Sequence, residues 1–136
     1  MVLSFKQITK LINRAKTIAV VGLSDRPERP SYLVARFLQK QGYKIYPVNP
    51  LLTAPVLGVQ PYASLHEIPV HIDIVDIFRR PQYVDPIVEE AIAVRADVVW
   101  MQLGVINDQA AWRAEEAGLG VVMDKCMRNE YSIRGL

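Results

Sequence analysis

The side chains best able to do chemistry in this chain stand in five short segments, each directly after an apolar run. They are Gly22-Leu23-Ser24-Asp25-Arg26, Asn49-Pro50, Phe78-Arg79-Arg80-Pro81, Gln102-Leu103-Gly104 and Asp124-Lys125-Cys126. Arg29, Ser31 and Tyr32 follow the first of these closely. Together they suit a ligand that carries phosphate. Gly22 permits a tight turn or a close backbone approach. Ser24 offers a hydroxyl and a backbone N–H. A helix opening near Ser31 adds unpaired N–H groups and the positive end of its dipole. Arg26 and Arg29 flank that helix start, and guanidinium groups clamp phosphate in bidentate fashion. Arg79 and Arg80 bring more positive charge from a separate segment. The competing reading is plain turn chemistry at the glycine and solvated arginines in loops.

Other chemistries find less support. Ser24 lacks the G-x-S-x-G setting of a nucleophile elbow. His66 and His71 have no second ligand at metal spacing, so no metal site is expected. Trp100 and Trp112 are read as core residues of a strand and a helix.

The elements that must position these residues follow from the apolar pattern. Ser4 caps a helix whose apolar positions are Phe5, Ile8, Leu11 and Ile12. Residues 18–21 form a buried strand ended by Gly22. Residues 31–41 form a helix with Leu33, Val34, Phe37 and Leu38 on one face, closed by Gly42. A strand at 44–48 stops at Asn49-Pro50. A proline-rich loop spans 51–62, and a single helical turn occupies 64–68. A strand at 72–78 leads to a helix opened by Pro81, with Val84, Ile87, Val88, Ala91 and Ile92 on its apolar face. A strand at 97–103, a helix capped by Asn107 and closed by Gly118, a strand at 119–123 and a last helix at 125–131 complete the series. Alternation of this kind predicts an α/β fold: a Rossmann-like three-layer sandwich around a mostly parallel five-stranded sheet. In such sheets ligands sit beyond the carboxyl ends of the strands, where strand order reverses. All five chemical segments are strand ends, and the strand interiors are read as free of polar groups.

Composition bounds the rest. The 136 residues suit one domain, 1–136, with one substantial core. Hydrophobic residues make up 51% and charged residues 22%, a globular balance. A net charge of only +2 gives no global basic field for nucleic acid. The single cysteine, Cys126, rules out an intramolecular disulfide. Residues 1–16 lack the apolar core of a secretion signal, and no stretch reaches the length of a membrane span. The expectation is a soluble cytoplasmic protein, without membrane contact and open to homodimerisation.

A dinucleotide reading fits poorly. Gly22-x-Ser24 stands where G-x-G-x-x-G is needed, and the second strand ends in Asn49 with no carboxylate for a ribose.

Several ordered motifs instead carry a family resemblance. The strings AVVGLSDRPERPSYLVARFLQKQGYKIYPVNP, LGVQPYASLHEIP, DIVDIFRRP and VVWMQLGVINDQAAWRAEEAGLGVVMDKCM, spanning about 16–131, resemble the small stand-alone CoA-binding proteins. These are similar to the CoA-binding domain of the succinyl-CoA synthetase α-subunit, without its catalytic histidine domain. The resemblance implies coenzyme A or an acyl-CoA as ligand, with Gly22 and Ser24 at its phosphates. It implies Val48, Asn49 and Pro50 beside adenine and ribose. Phe78, Arg79 and Arg80 would flank the pantetheine and pyrophosphate, with Gln102 and Gly104 on the far side. The absence of a carboxylate after the second strand agrees, because a carboxylate would repel the CoA 3′-phosphate. Cys126 is the one candidate nucleophile, its thiolate favoured by Lys125 and Arg128 and opposed by Asp124. Under oxidation, with an added oxidant taking the two electrons, it is placed to form a mixed disulfide with the pantetheine thiol; the alternative is a buried structural cysteine. The expected function is CoA binding without turnover. The alternatives are a small NAD(P)- or acyl-CoA-linked enzyme and a regulatory protein with a vestigial pocket.

Overall fold

The computed structural model describes residues 1–135. Ser4 opens α1 (Phe5–Arg14) through a capping box: its hydroxyl accepts from the Gln7 N–H at 3.2 Å, and the Gln7 side-chain oxygen accepts from the Ser4 N–H at 2.8 Å. Such a cap contributes about 1 kcal/mol. Then follow β1 (Thr17–Val21), α2 (Pro30–Lys40) and β2 (Lys44–Val48). After a long connection come β3 (Ile74–Ile77), α3 (Val84–Ala93), β4 (Val98–Met101), α4 (Asp108–Glu116), β5 (Gly120–Val122) and α5 (Met127–Ser132). Short 3₁₀ turns at Leu65–Glu67 and Pro81–Tyr83 precede β3 and α3, so Pro81 starts the 3₁₀ turn and not the α-helix itself.

The five strands pair in the order β2-β1-β3-β4-β5, and every pairing is parallel. A parallel sheet must be covered on both faces, which is why its strands are predominantly apolar and rich in Val and Ile. One face buries Ala19, Val75, Val99 and Val121 under α3 and α4. The other buries Ile18, Val20, Ile74, Val98 and Trp100 under α1, α2 and α5. The expected doubly wound, Rossmann-like α/β sandwich is therefore present. Because β1 has β2 on one side and β3 on the other, the chain reverses its direction of travel across the sheet between β1 and β3. A crevice opens there by topology alone.

Several expectations need correction. Trp112 is 62% exposed, not core. The buried positions of α4 are Ala110, Ala111 and Ala114, and helical periodicity turns residue 112 away from them. In α2 the buried face is Ser31, Val34, Ala35 and Leu38, which leaves Leu33 40% exposed. Phe5 is also outside the core, covered instead by the Arg134 guanidinium 3.9 Å above its ring. The interior of β3 is not apolar either: Asp76, in the middle of that strand, is fully buried. No described helix is long and apolar enough to cross a membrane.

Candidate functional site

The loop after β1 approaches the loop after β3 so closely that only glycine fits between them. Gly22 has φ +87°, and a Cβ there would run into the Phe78 carbonyl oxygen and lie 3.0 Å from the Arg79 Cδ. Its N–H donates to the Val48 carbonyl at 2.8 Å, which ties the same turn to the end of β2. Three strand ends thus converge on one residue.

Beside this junction lies a cleft of ≈ 750 Å³, within the usual range for small-molecule sites. It brings together Gly22, Ser24, Arg26, Arg29, Ser31, Phe78, Arg79, Arg80, Gln102, Gly104 and Cys126 from the segments singled out in the sequence. Val48, Asn49 and Pro50 line a smaller neighbouring depression of ≈ 240 Å³, which shares Gly22 and Arg79 with the main cleft. Leu23 and Tyr32 line neither. The Leu23 side chain is fully buried, while its carbonyl accepts from the Asn49 amide at 3.1 Å. Tyr32 packs partly against the α1/α2 side of the core.

The β1 loop differs from the simplest phosphate cradle in one respect. The Ser24 N–H donates to the Ser31 hydroxyl at 3.0 Å, and the Ser24 hydroxyl accepts from the Arg26 N–H at 3.1 Å. The Ser24 N–H is therefore already engaged, and the buried Ser31 serves as a loop brace. Free donors remain a few residues on. Pro30 occupies the first turn of α2, and the Ser31 and Tyr32 N–H groups find no acceptor among the described residues. Arg26, Arg29, Arg79 and Arg80 are exposed, and none forms an ion pair among the described residues. Arg79 lies over the Tyr83 ring, 4.7 Å from its centroid, which restrains its side chain.

Two acidic residues hold the far wall of the site: Asp124, given a role in the sequence only through its effect on Cys126, and Asp76, which the sequence pattern does not place in the site. Asp124, itself at φ +60°, accepts from the Gly104 N–H at 2.7 Å and joins the ends of β4 and β5. Asp76 accepts from the Gln102 Nε2 at 2.7 Å, and its second carboxylate oxygen has no partner among the described residues. Asp76 carried a sequence signal after all, a carboxylate in the middle of the apolar run Ile74–Ile77. The left-handed turn at Asp124 left none. Cys126 is a free, half-buried thiol at the start of α5, so it is not the sealed structural cysteine of the alternative reading. Pro30, Val34, Pro81, Leu103, Val105 and Asn129 complete the lining.

Burial pushes the Asp76 carboxyl up to about 7 from its ordinary 3.8, against the lowering effect of the Gln102 hydrogen bond. A raised value in the folded state means that this group's stability contribution is full below the ordinary carboxylate range and is lost as pH rises through about 7. Asp76→Asn removes that titration. The melting temperature of the variant relative to wild type is expected to climb between pH 5 and pH 8, read by thermal melts across that window. A constant difference would mean that Asp76 does not change its protonation there.

A second titratable cluster lies at the opposite, amino-terminal edge of the sheet. His71 Nε2 is 3.1 Å from Asp97 Oδ1 and 3.7 Å from Asp73 Oδ1, a grouping that sequence spacing did not reveal. Its carboxylates are already engaged. Burial raises the Asp73 pKa, but the N–H groups of Lys16 and Thr17, the His71 charge and the Thr17 hydroxyl lower it more, and the net shift is downward. Asp97 also meets Arg14 at 3.5 Å. This network fastens the bases of β1, β3 and β4 together.

Comparison with known proteins gives this geometry a lineage. The uncharacterized protein YneT of Bacillus subtilis (strain 168) is 42% identical over 127 residues, covering 93% of each chain. A hypothetical protein from Pyrococcus horikoshii OT3 superposes with a TM-score of 0.93 at 40% identity, covering 96% of this chain and 92% of that one. Over a shorter stretch of 58 residues, 42% of this chain, there is 43% identity to the α-subunit of an ADP-forming acetate–CoA ligase (II) of Pyrococcus furiosus, of which the match spans 12%. A family model described as CoA binding domain matches residues 16–132, a span that holds all five strands and every segment lining the cleft. The chain belongs to the CoA-binding domain family.

Proposed function

We propose that this protein binds coenzyme A, free or acylated, at the carboxyl edge of its sheet, and acts through binding rather than turnover. The observation that carries the reading is the convergence of four exposed guanidinium groups, without ion-pair partners among the described residues, on a cleft whose rim is a glycine-only junction. CoA presents a pyrophosphate and a 3′-phosphate, which match guanidinium groups and free helix N–H donors. Its two ends also match the two adjoining depressions. The nucleotide would occupy the side formed by Val48, Asn49 and Pro50, and the pantetheine arm the larger cleft beyond Gly22 and Arg79. Asn49 in place of a carboxylate suits a phosphorylated ribose and disfavours a free ribose diol. Membership of the CoA-binding domain family supports the same ligand.

A thermal-shift panel of CoA, NAD⁺, NADP⁺, ATP and inorganic phosphate tests the proposal. A ligand at about 100 times its dissociation constant stabilises the folded state by about 2.7 kcal/mol. CoA alone is expected to raise the melting temperature by several degrees. A larger shift with NAD⁺ or NADP⁺ would transfer the site to a dinucleotide.

A further inference from the structure

Gln102 lines the cleft with Asp76 buried behind it, and the hydrogen bonding between the two has a direction. Gln102 is only 3% exposed, yet it lines the cleft. Its Nε2 donates inward to Asp76 Oδ1 at 2.7 Å. Its amide oxygen has no hydrogen-bond partner among the described residues, yet the only sealed, unpartnered side-chain polar atom among them is Asp76 Oδ2. The Gln102 oxygen is therefore open to the cleft. An amide side chain can present either end, and the neighbour that binds one end decides which faces out. Here that neighbour is a carboxyl oxygen, an acceptor, so it captures the NH₂ end. Open to the cleft, that oxygen accepts from solvent while the site is empty, and a ligand that displaces this solvent loses affinity unless it brings a donor of its own.

We propose that Asp76 is a positioning residue: by holding the Gln102 Nε2 it turns the Gln102 oxygen into the cleft, where it accepts from an N–H donor on the extended arm of the ligand. The proposal rests on the CoA reading, since the pantetheine arm of CoA carries amide N–H groups. It adds a selectivity rule that phosphate binding does not contain. Ligands sharing the phosphates but lacking the arm gain nothing from Gln102.

The test compares CoA with adenosine 3′,5′-bisphosphate, which lacks the arm together with the outer phosphate of the pyrophosphate, by titration calorimetry on wild type, Asp76→Asn, Asp76→Val, Gln102→Leu and the Asp76→Val/Gln102→Leu double variant. One hydrogen bond corresponds to a loss of about tenfold at most. Asp76→Val and Gln102→Leu are each expected to weaken CoA by about that factor and leave the bisphosphate unchanged. The double variant should lose no more than either single one, because Asp76 acts through Gln102. Asp76→Asn retains an acceptor oxygen and should keep wild-type affinity. Equal weakening of both ligands, or none for either, would overturn the positioning role while leaving CoA binding in place. Should Asp76→Val fail to fold, Asp76→Ala takes its place with the same expectation, a loss for CoA and none for the bisphosphate. Wild type binding neither ligand would overturn the CoA reading itself, and this inference with it.

Discussion

Alanine at both Arg79 and Arg80 is expected to weaken CoA binding by about 100-fold with little change in melting temperature. Both side chains are exposed, neither has a carboxylate partner among the described residues, and only the contact of Arg79 with the Tyr83 ring ties either to the fold. Removing them breaks no core packing, so stability should change by no more than about 0.5 kcal/mol each. Hydrogen bonds to charged groups are worth about 1.5–3 kcal/mol, and solvent screening places exposed contacts at the lower end, about tenfold each. The same changes at Arg26 and Arg29 should act in the same direction. Raising the salt concentration should weaken wild-type binding and narrow the gap to the variants, because screening acts on what the arginines contribute. Calorimetry at two ionic strengths measures this. Unchanged affinity in the Arg79/Arg80 double variant would return these arginines to the role of solvated loop residues.

The second large effect belongs to Gly22. Gly22→Ala is expected to destabilise the fold by about 3 kcal/mol, roughly 10 °C in melting temperature, and to weaken CoA binding as well. The backbone at φ +87° disfavours any L side chain, and the added Cβ meets the Phe78 carbonyl oxygen with no room to retreat. Relief requires the β1 and β3 loops to part, and these loops carry Ser24, Arg26, Arg79 and Arg80 at the cleft. Gly42→Ala is the matched control. Gly42 has φ +104°, but an added Cβ finds nothing within 4 Å, so it carries the conformational cost alone. The excess loss at position 22 over position 42, read from denaturant or thermal melts, isolates the close approach between the loops. Equal losses at the two glycines would remove the glycine-only junction from the account.

Much of the architecture was legible because parallel sheets impose a strong pattern. Buried on both faces, the strands must be short and mostly apolar, rich in β-branched residues, and Ile18–Val21, Ile74–Ile77 and Val98–Met101 fit that pattern with Asp76 as the one charged exception. The helix caps at Ser4 and Asn107 were equally plain, since each side chain accepts from an N–H three residues on. Strand ends revealed the site by contrast, polar groups appearing where apolar runs stop. What stayed hidden depends on tertiary neighbours. Ser24 and Ser31 looked like two phosphate donors, and only the folded loop shows that they spend one hydrogen bond on each other. Trp112 looked like core by residue type, yet the small face Ala110, Ala111 and Ala114 is what α4 buries. Asp76 was the costliest omission. A carboxylate inside a buried strand has a reason to be there, and the partner that supplies it, Gln102, lies 26 residues away on the adjacent strand end.

The central claim, that this cleft is a CoA site, meets its most direct test in a calorimetric titration of the reduced protein with CoA, alongside NAD⁺, NADP⁺ and ATP. The expected result is a saturable heat with CoA at one ligand per chain, weaker at high salt, and no comparable binding of the other three. Saturable binding of a dinucleotide in preference to CoA, or no binding of CoA at all, would contradict it.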